Sequence, residues 1–553
     1  MNIIACSQSQ AAIRNKVLGG ARSRVSKITR AHAEACTPLN YKRRKTEFMT
    51  TENQQYRAWQ LHGAGLENIG TNGEAETLEL RPPAANEVML RVDAVGLCQS
   101  DIKIIKQGGA HARLRGRDLQ ADPTVLGHEC AATIEAVGDQ WKDKFKPGER
   151  FIVQADIYYK GIGYAFGYVI PGGLAQYCYV DERALDGDEG CYLLPVDDKT
   201  GFSQSALAEP WACVEMAYAV ADRLSPNDGK ASVWSEKDAE GDALEDIVVE
   251  NPTPQSVEAA ANRLAKNGNL YLIGNPSEEG APNLDIGRIH YEGIRFLGGA
   301  DSLEGIAAVH TRNDLRPGGA ALFIGAGGPM GQMHVQRALE RADGPALVVA
   351  TDLDRGRLDH IARRFAGLLE RREVRFELID SSEFENPAAE HAALQALAPD
   401  GYDDLVTMAP VASLVTGLCE LAAPNALLNV FAGVPIGQIA PIPLKALCNG
   451  VRIVGTSGSR IEDMQSVLDK VQGRELDTNL SVAAVGGLEA AHDGLRGLLD
   501  ARFPGKTVIY PQISGLPLTP LDELNGVRPD VAKALGPDNA WTIESERVLM
   551  ESE

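Results

Sequence analysis

Cys98 lies in Gly96-Leu97-Cys98-Gln99-Ser100-Asp101, and thirty residues later comes Gly127-His128-Glu129-Cys130. A thiolate, an imidazole and a carboxylate are the ligand types that zinc prefers, and a catalytic zinc takes three protein ligands and keeps one position open. Glu209, in Ala208-Glu209-Pro210, is a fourth candidate. A mixed S, N and O set points to zinc rather than to a hard cation. The chemistry such a site offers is polarisation of a substrate oxygen.

A second constellation follows downstream. Gly325, Gly327, Gly328 and Gly331, with Pro329 and Met330 between them, separate an apolar run from a helical stretch. Glycines at these positions let the backbone turn and approach a pyrophosphate at a helix N-terminus. Asp352 stands at the end of the next apolar run, where a carboxylate accepts ribose hydroxyls and repels a 2′-phosphate. NAD is therefore expected over NADP, although Arg355 and Arg357 lie close by.

These residues need elements to hold them. Residues 55–185 read as short strands broken by Gly and Pro, a compact β-rich domain. Residues 205–220 read as a helix. From 320 onward strands and helices alternate, the pattern of a doubly wound α/β domain, with strands expected at 320–324, 346–351, 404–407, 427–431 and 452–454. Between these regions, residues 246–298 resemble residues 404–455: strand, helix, strand, and a closing Ile-Arg-Phe-Leu-Gly beside Val-Arg-Ile-Val-Gly. This predicts either a second half-sheet, which enlarges the α/β domain or makes an interface, or a surface insertion. Residues 225–242 read as its exposed leading loop.

Composition excludes other classes. The net charge of −22 argues against nucleic acid, which needs basic surface. No apolar run is long enough to span a membrane. Nine cysteines, an odd number with no CxxC, are not a disulfide framework; a reducing, cytoplasmic setting is expected. Residues 1–48 are basic and are expected to form a disordered extension, a transit segment or a stretch upstream of a start at Met49.

With Pro171-Gly172-Gly173-Leu174-Ala175-Gln176-Tyr177 added to the motifs above, the chain resembles the zinc-dependent medium-chain alcohol and polyol dehydrogenases. Glu209-Pro210 resembles the sorbitol and threonine dehydrogenase branch, and residues 503–511 are similar to the close of sorbose 1-phosphate reductases. The resemblance implies an α/β fold with a GroES-like zinc domain at 49–220 and a Rossmann domain at 320–490. An α/β insertion at 221–319 and a C-terminal segment, 491–553, returning to the catalytic domain complete the expected layout. It implies zinc ligation by Cys98 and His128, with Glu129 and Glu209 competing for the third place, while either could instead hold the zinc-bound water in a catalytic role or move in and out of the shell. Ser100 would pass on the substrate proton, while Lys103 stands where some relatives have a relay histidine.

Many relatives carry a four-cysteine lobe, but residues 151–177 contain no cysteine and several aromatics, so one catalytic zinc per chain is expected. The implied activity is reversible oxidation of a secondary alcohol, a polyol, sugar or sugar phosphate. Lys103, Lys106, Arg113, Arg115 and Arg117 are candidates for a phosphate. The alternatives are threonine-type amino-alcohol oxidation, or a non-catalytic nucleotide-binding regulator. A homo-oligomer is implied by resemblance alone.

Overall fold

The computed structural model describes residues 54–219, 223–456 and 458–551. The basic stretch 1–48 lies outside the described residues. The N-terminal half builds a mainly antiparallel sheet from β1 (Val88–Gly96), β2 (Glu129–Val137), β3 (Arg150–Val153), β4 (Tyr177–Val180) and β5 (Leu193–Val196). Helix α1 (Gln99–Gln107) starts just after β1. The helix expected at 205–220 is two helices, Phe202–Ala206 and α2 (Ala208–Ala219). Pro210 has no N–H to give, so it fits only the first turn of a helix, and α2 restarts just ahead of it.

The inserted region forms its own parallel sheet, β6 (Ser232–Val233), β7 (Leu244–Glu250), β8 (Leu264–Ile273) and, after β9 (Asn283–Asp285) and α3 (Ile286–Glu292), β10 (Arg295–Ala300). The stretch 225–242 is thus not wholly a loop. Its strand β6 pairs in parallel with β7, yet both residues of β6 are exposed, so no apolar pattern marked it. The surface-insertion reading fails, because Ile247, Leu270 and Phe296 share one core with Leu322, Leu405 and Ile453 of the following domain.

That domain runs β11 (Ala320–Ile324), α4 (Pro329–Glu340), β12 (Leu347–Asp352), β13 (Arg375–Asp380), β14 (Tyr402–Thr407), a helix Ala412–Leu421, β15 (Ala422–Val430), β16 (Ile439–Pro441), α5 (Leu444–Cys448) and β17 (Arg452–Val454). Its sheet order is β13-β12-β11-β14-β15-β17, all parallel. This is the 3-2-1-4-5-6 order of dinucleotide-binding domains. Central strands such as Ala-Ala-Leu-Phe-Ile are apolar throughout because both faces are covered.

The chain then returns to the first sheet through β18 (Val482–Gly487), β19 (Lys506–Tyr510) and β20 (Thr519–Pro520). The return begins at Val482, ahead of the boundary expected at 491. The run Val-Ala-Ala-Val-Gly-Gly carries no sign of which sheet it joins.

Candidate metal and cofactor site

Strand register explains how residues thirty apart in sequence meet. β1 and β2 pair antiparallel with Gly96 opposite Glu129. Cys98, two residues beyond Gly96, caps α1, and His128 directly precedes β2. The ligand atoms of Cys98, His128 and Glu129 lie within 4.8 Å of one another. Gly96 has to be glycine here: a Cβ would come 2.1 Å from Glu129 Oε2. Gly127 turns the chain with φ 92°, a conformation that favours glycine.

Asp101, in the first turn of α1, organises the set. One of its oxygens accepts the backbone N–H of Cys98 at 3.0 Å, and the other lies 3.3 Å from His128 Nδ1. A carboxylate on the far nitrogen fixes the imidazole tautomer and leaves Nε2 for a ligand. Glu129 Oε1 pairs with Lys506 Nζ of β19, both side chains buried. Burial alone would lower the Lys506 pKa, but Glu129 and Cys98 raise it, so the ammonium stays charged. Glu129 Oε2 is buried with no hydrogen-bond partner. An unpaired carboxylate oxygen beside a thiol and an imidazole fits a zinc ion.

Glu209 lies outside this cluster, in the first turn of α2. Burial pushes its carboxyl up to about 7; nearby Glu129 adds to this, while His128 and Lys506 oppose it. Ser100 is half-buried in α1, and Lys103 is exposed on the same helix. The cysteine-free interval folds as a hairpin, Asp156–Tyr159 against Ile162–Ala165. The turn after it lays the buried Tyr168 ring 5.6 Å from His128, centroid to centroid. Arg113, 5.4 Å from the Tyr168 ring centroid and ion-paired to Asp156, and His111 also stand beside this ring. Burial, then Arg113 and Lys103, lowers the His111 pKa.

The dinucleotide loop joins β11 to α4. Gly325 has φ 74°, Gly328 caps α4, and Pro329 and Met330 form its first turn. A Cβ on Gly331 would meet Ala326 Cα at 2.6 Å, so this glycine permits the close helix–strand approach. The N–H of Gly327 donates to Asp352 Oδ2 at 2.8 Å, which places the carboxylate at the mouth of the loop. Arg355 pairs with Asp359, and Arg357 reaches Asp354 and the Ala501 carbonyl.

Sequence reasoning missed Asp101 and Lys506 as site residues. Asp101 had a local signal, an acid three residues after a residue that could cap a helix. Lys506 had none, because its partner is 377 residues away.

Residues 84–186 match the alcohol dehydrogenase GroES-like domain. The chain is 27% identical over 480 residues to L-sorbose 1-phosphate reductase of Klebsiella pneumoniae, covering 86% of this chain and 94% of that protein. It is 25% identical over 498 residues to mannitol-1-phosphate 5-dehydrogenase of Aliivibrio fischeri, covering 86% and 95%. It is also 32% identical over 149 residues to human sorbitol dehydrogenase, covering 24% and 38%. The fold matches 2R,3R-butanediol dehydrogenase from Bacillus subtilis with a TM-score of 0.53 at 16% identity, covering 83% of this chain and 100% of that one. A putative zinc-binding dehydrogenase from Sinorhizobium meliloti, bound to NADP, matches with 0.51 at 16% identity over 83% and 100%. The fold is a GroES-like domain joined to a Rossmann-type domain, the architecture these dehydrogenase structures share. The chain is a homologue of L-sorbose 1-phosphate reductase and, over a shorter stretch, of sorbitol dehydrogenase. Among the described residues no helix is long and apolar enough to cross a membrane.

Proposed function

We propose that this protein interconverts a secondary alcohol and its ketone on a polyol phosphate or sugar phosphate, with zinc and NAD as cofactors. One observation carries the reading above the others: a thiol, an imidazole and a carboxylate with an unpartnered buried oxygen converge within 4.8 Å. Relatives named for phosphorylated sugars and polyols support it along most of the chain and favour it over the amino-alcohol and non-catalytic alternatives.

Cys98, His128 and Glu129 would hold the metal, and Glu209 lies close enough to feel the charges of His128 and Glu129. When bound, the metal supplies Lewis acidity toward a substrate hydroxyl and the nicotinamide accepts hydride. Asp101 keeps His128 in one tautomer, and Lys506 balances the Glu129 charge. Ser100, half-buried at the start of α1, would accept the substrate proton at Oγ as its own hydroxyl proton passes on to solvent. His111 and Arg113 stand beside Tyr168, whose ring neighbours His128, with the Lys103 charge close to His111, and these three receive the phosphate. Asp352 accepts the ribose hydroxyls and excludes a 2′-phosphate, and the partners held by Arg355 and Arg357 draw both away from that role. The described cysteines are all unpaired, which fits the reducing cytoplasmic setting. A panel of polyols and their phosphates with NAD and NADP tests the reading. NADH formation from a phosphorylated polyol is expected, and a preference for threonine would contradict it.

A further inference from the structure

The inserted region repeats the dinucleotide domain in more than strand pattern. Asp246 of β7 corresponds to Asp404 of β14, Asn267 to Asn425, and Gly293 to Gly450. Both asparagines take φ 60°, and both glycines have positive φ. The buried aspartates sit in the same network. Arg223 bonds Asp246, the Asn267 carbonyl at 3.3 Å and the carbonyl of Ser225 at 2.9 Å. Arg312 bonds Asp404, the Asn425 carbonyl at 3.5 Å and the carbonyl of Asp314 at 2.8 Å. Four residues after each arginine a backbone N–H closes on the same aspartate, from Asn227 at 2.9 Å and from Arg316 at 2.7 Å.

These matches make β6 the counterpart of β11. The inserted sheet, β6-β7-β8-β10, is then strands 1-4-5-6 of the Rossmann order. Strands 2 and 3 and the Gly-rich turn into α4 have no counterpart, since Trp234 leads through a short 3-10 turn to β7. What is missing is the half that binds a dinucleotide.

The two copies also face each other reciprocally. β9 pairs antiparallel with its own counterpart β16, Leu284 opposite Ala440. β10 packs beside β17, the outer strand of the six-stranded sheet. A Cβ on Gly298 would lie 2.3 Å from the Leu447 carbonyl, and one on Gly455 would lie 2.9 Å from His290 Cα. Gly298 and Gly455 are counterparts, as are His290 in α3 and Leu447 in α5. Contacts in which i meets j and j meets i are the mark of a two-fold interface between identical subunits. Here both sides belong to one chain.

The contact also reaches the functional cleft. His290 Nδ1 is 3.1 Å from the Val430 carbonyl at the end of β15, and the Tyr291 hydroxyl lies over Gly433 just beyond it. Ligands of parallel α/β sheets bind at this end of the strands. His290 and Tyr291 thus set α3 against the C-terminal end of β15, on the side of the sheet where such ligands bind.

We infer that the insertion is a nucleotide-free copy of the chain's own dinucleotide domain that serves as a built-in partner subunit. It closes the β17 edge and supplies one wall of the substrate cleft from within the same chain. The homo-oligomer implied by family resemblance is thereby internal, and the protein is a monomer with one dinucleotide site. The cofactor half of this inference rests on the dinucleotide-site reading above, whereas its mass half does not.

Light scattering of the full chain, with equilibrium titration by NADH, tests it. A particle of 59.3 kDa binding one NADH is expected. A particle of twice that mass, or two NADH per chain, would overturn it. Mass is read without turnover, so failure of the proposed activity shows separately, as absent NADH formation. A second arm uses Gly287→Val, because a Cβ there would lie 2.3 Å from the Pro435 carbonyl and would push α3 off the sheet. An opened strand edge recruits another chain, so a lower Tm and a rise toward dimer mass are expected. A folded variant with unchanged Tm and mass would contradict the inference.

Discussion

Glu129 and Lys506 are 377 residues apart in sequence and form a buried ion pair from β2 and β19, the two strands that flank β1 in the middle of the sheet. The pair ties the C-terminal return of the chain to the metal site. Only one carboxylate oxygen is used, which leaves the other for a cation.

Lys506→Met therefore strands a buried negative charge. Breaking such a pair costs about 3–5 kcal/mol. That loss is expected in full in chelator-treated protein and in reduced form when zinc is saturating, because the metal then neutralises Glu129. Glu129→Gln in the same chain should recover most of it. Thermal unfolding with and without chelator measures this, and equal losses in both conditions would count against metal binding by Glu129.

Asp101→Asn keeps the shape but weakens the grip on His128. Loss of such an outer carboxylate lowers metal affinity about 10–100-fold. Competition with a chromogenic chelator reads the affinity directly. An unchanged zinc affinity would reduce Asp101 to a helix cap.

Asp352→Ser removes the carboxylate that Gly327 holds at the Gly-rich loop, where the proposed function has it accept the ribose hydroxyls. The ratio of kcat/KM with NADP to that with NAD is expected to rise at least about tenfold, equivalent to about 1.4 kcal/mol. A ratio that does not move would place the discrimination elsewhere in the loop.

His334 sits on α4, its Nδ1 2.7 Å from the Tyr218 hydroxyl and its ring against Phe431. Burial, with Arg337 adding, holds its pKa down to about 3 against an ordinary 6.5. The folded state thus binds fewer protons than the unfolded chain between these values. Stability is whole above pH 6.5 and declines as pH falls toward 3, by about 2 kcal/mol at pH 5 from this group. Urea midpoints at pH 7.5 and 5 should diverge less in His334→Gln than in the parent.

The clustering of Cys98, His128 and Glu129 was legible in sequence because these residues sit at the facing ends of two neighbouring strands, where short Gly-flanked motifs survive as local text. The strand–glycine–helix–strand unit ending at Asp352 was legible for the same reason. Asp101 lies within the Cys98 motif, yet its role depends on the imidazole 27 residues on. Lys506, β6 and the early return at Val482 were not legible, since each is defined by a partner distant in the chain rather than by a local period. β13 left no clear signal either, because Arg375–Asp380 is an edge strand with mixed charged and apolar residues. The internal repeat was visible as pattern, but only the paired arginine–aspartate networks and the antiparallel β9–β16 contact give it a meaning.

The most direct test of the dehydrogenase account is NADH formation from a panel of polyol phosphates by the parent chain and by Cys98→Ser, with zinc content measured on the same samples. The account predicts turnover by the parent with one zinc per chain, and, in the variant, loss of zinc together with a fall in kcat/KM of at least about 10³-fold, or about 4 kcal/mol. Undiminished turnover in Cys98→Ser would contradict it.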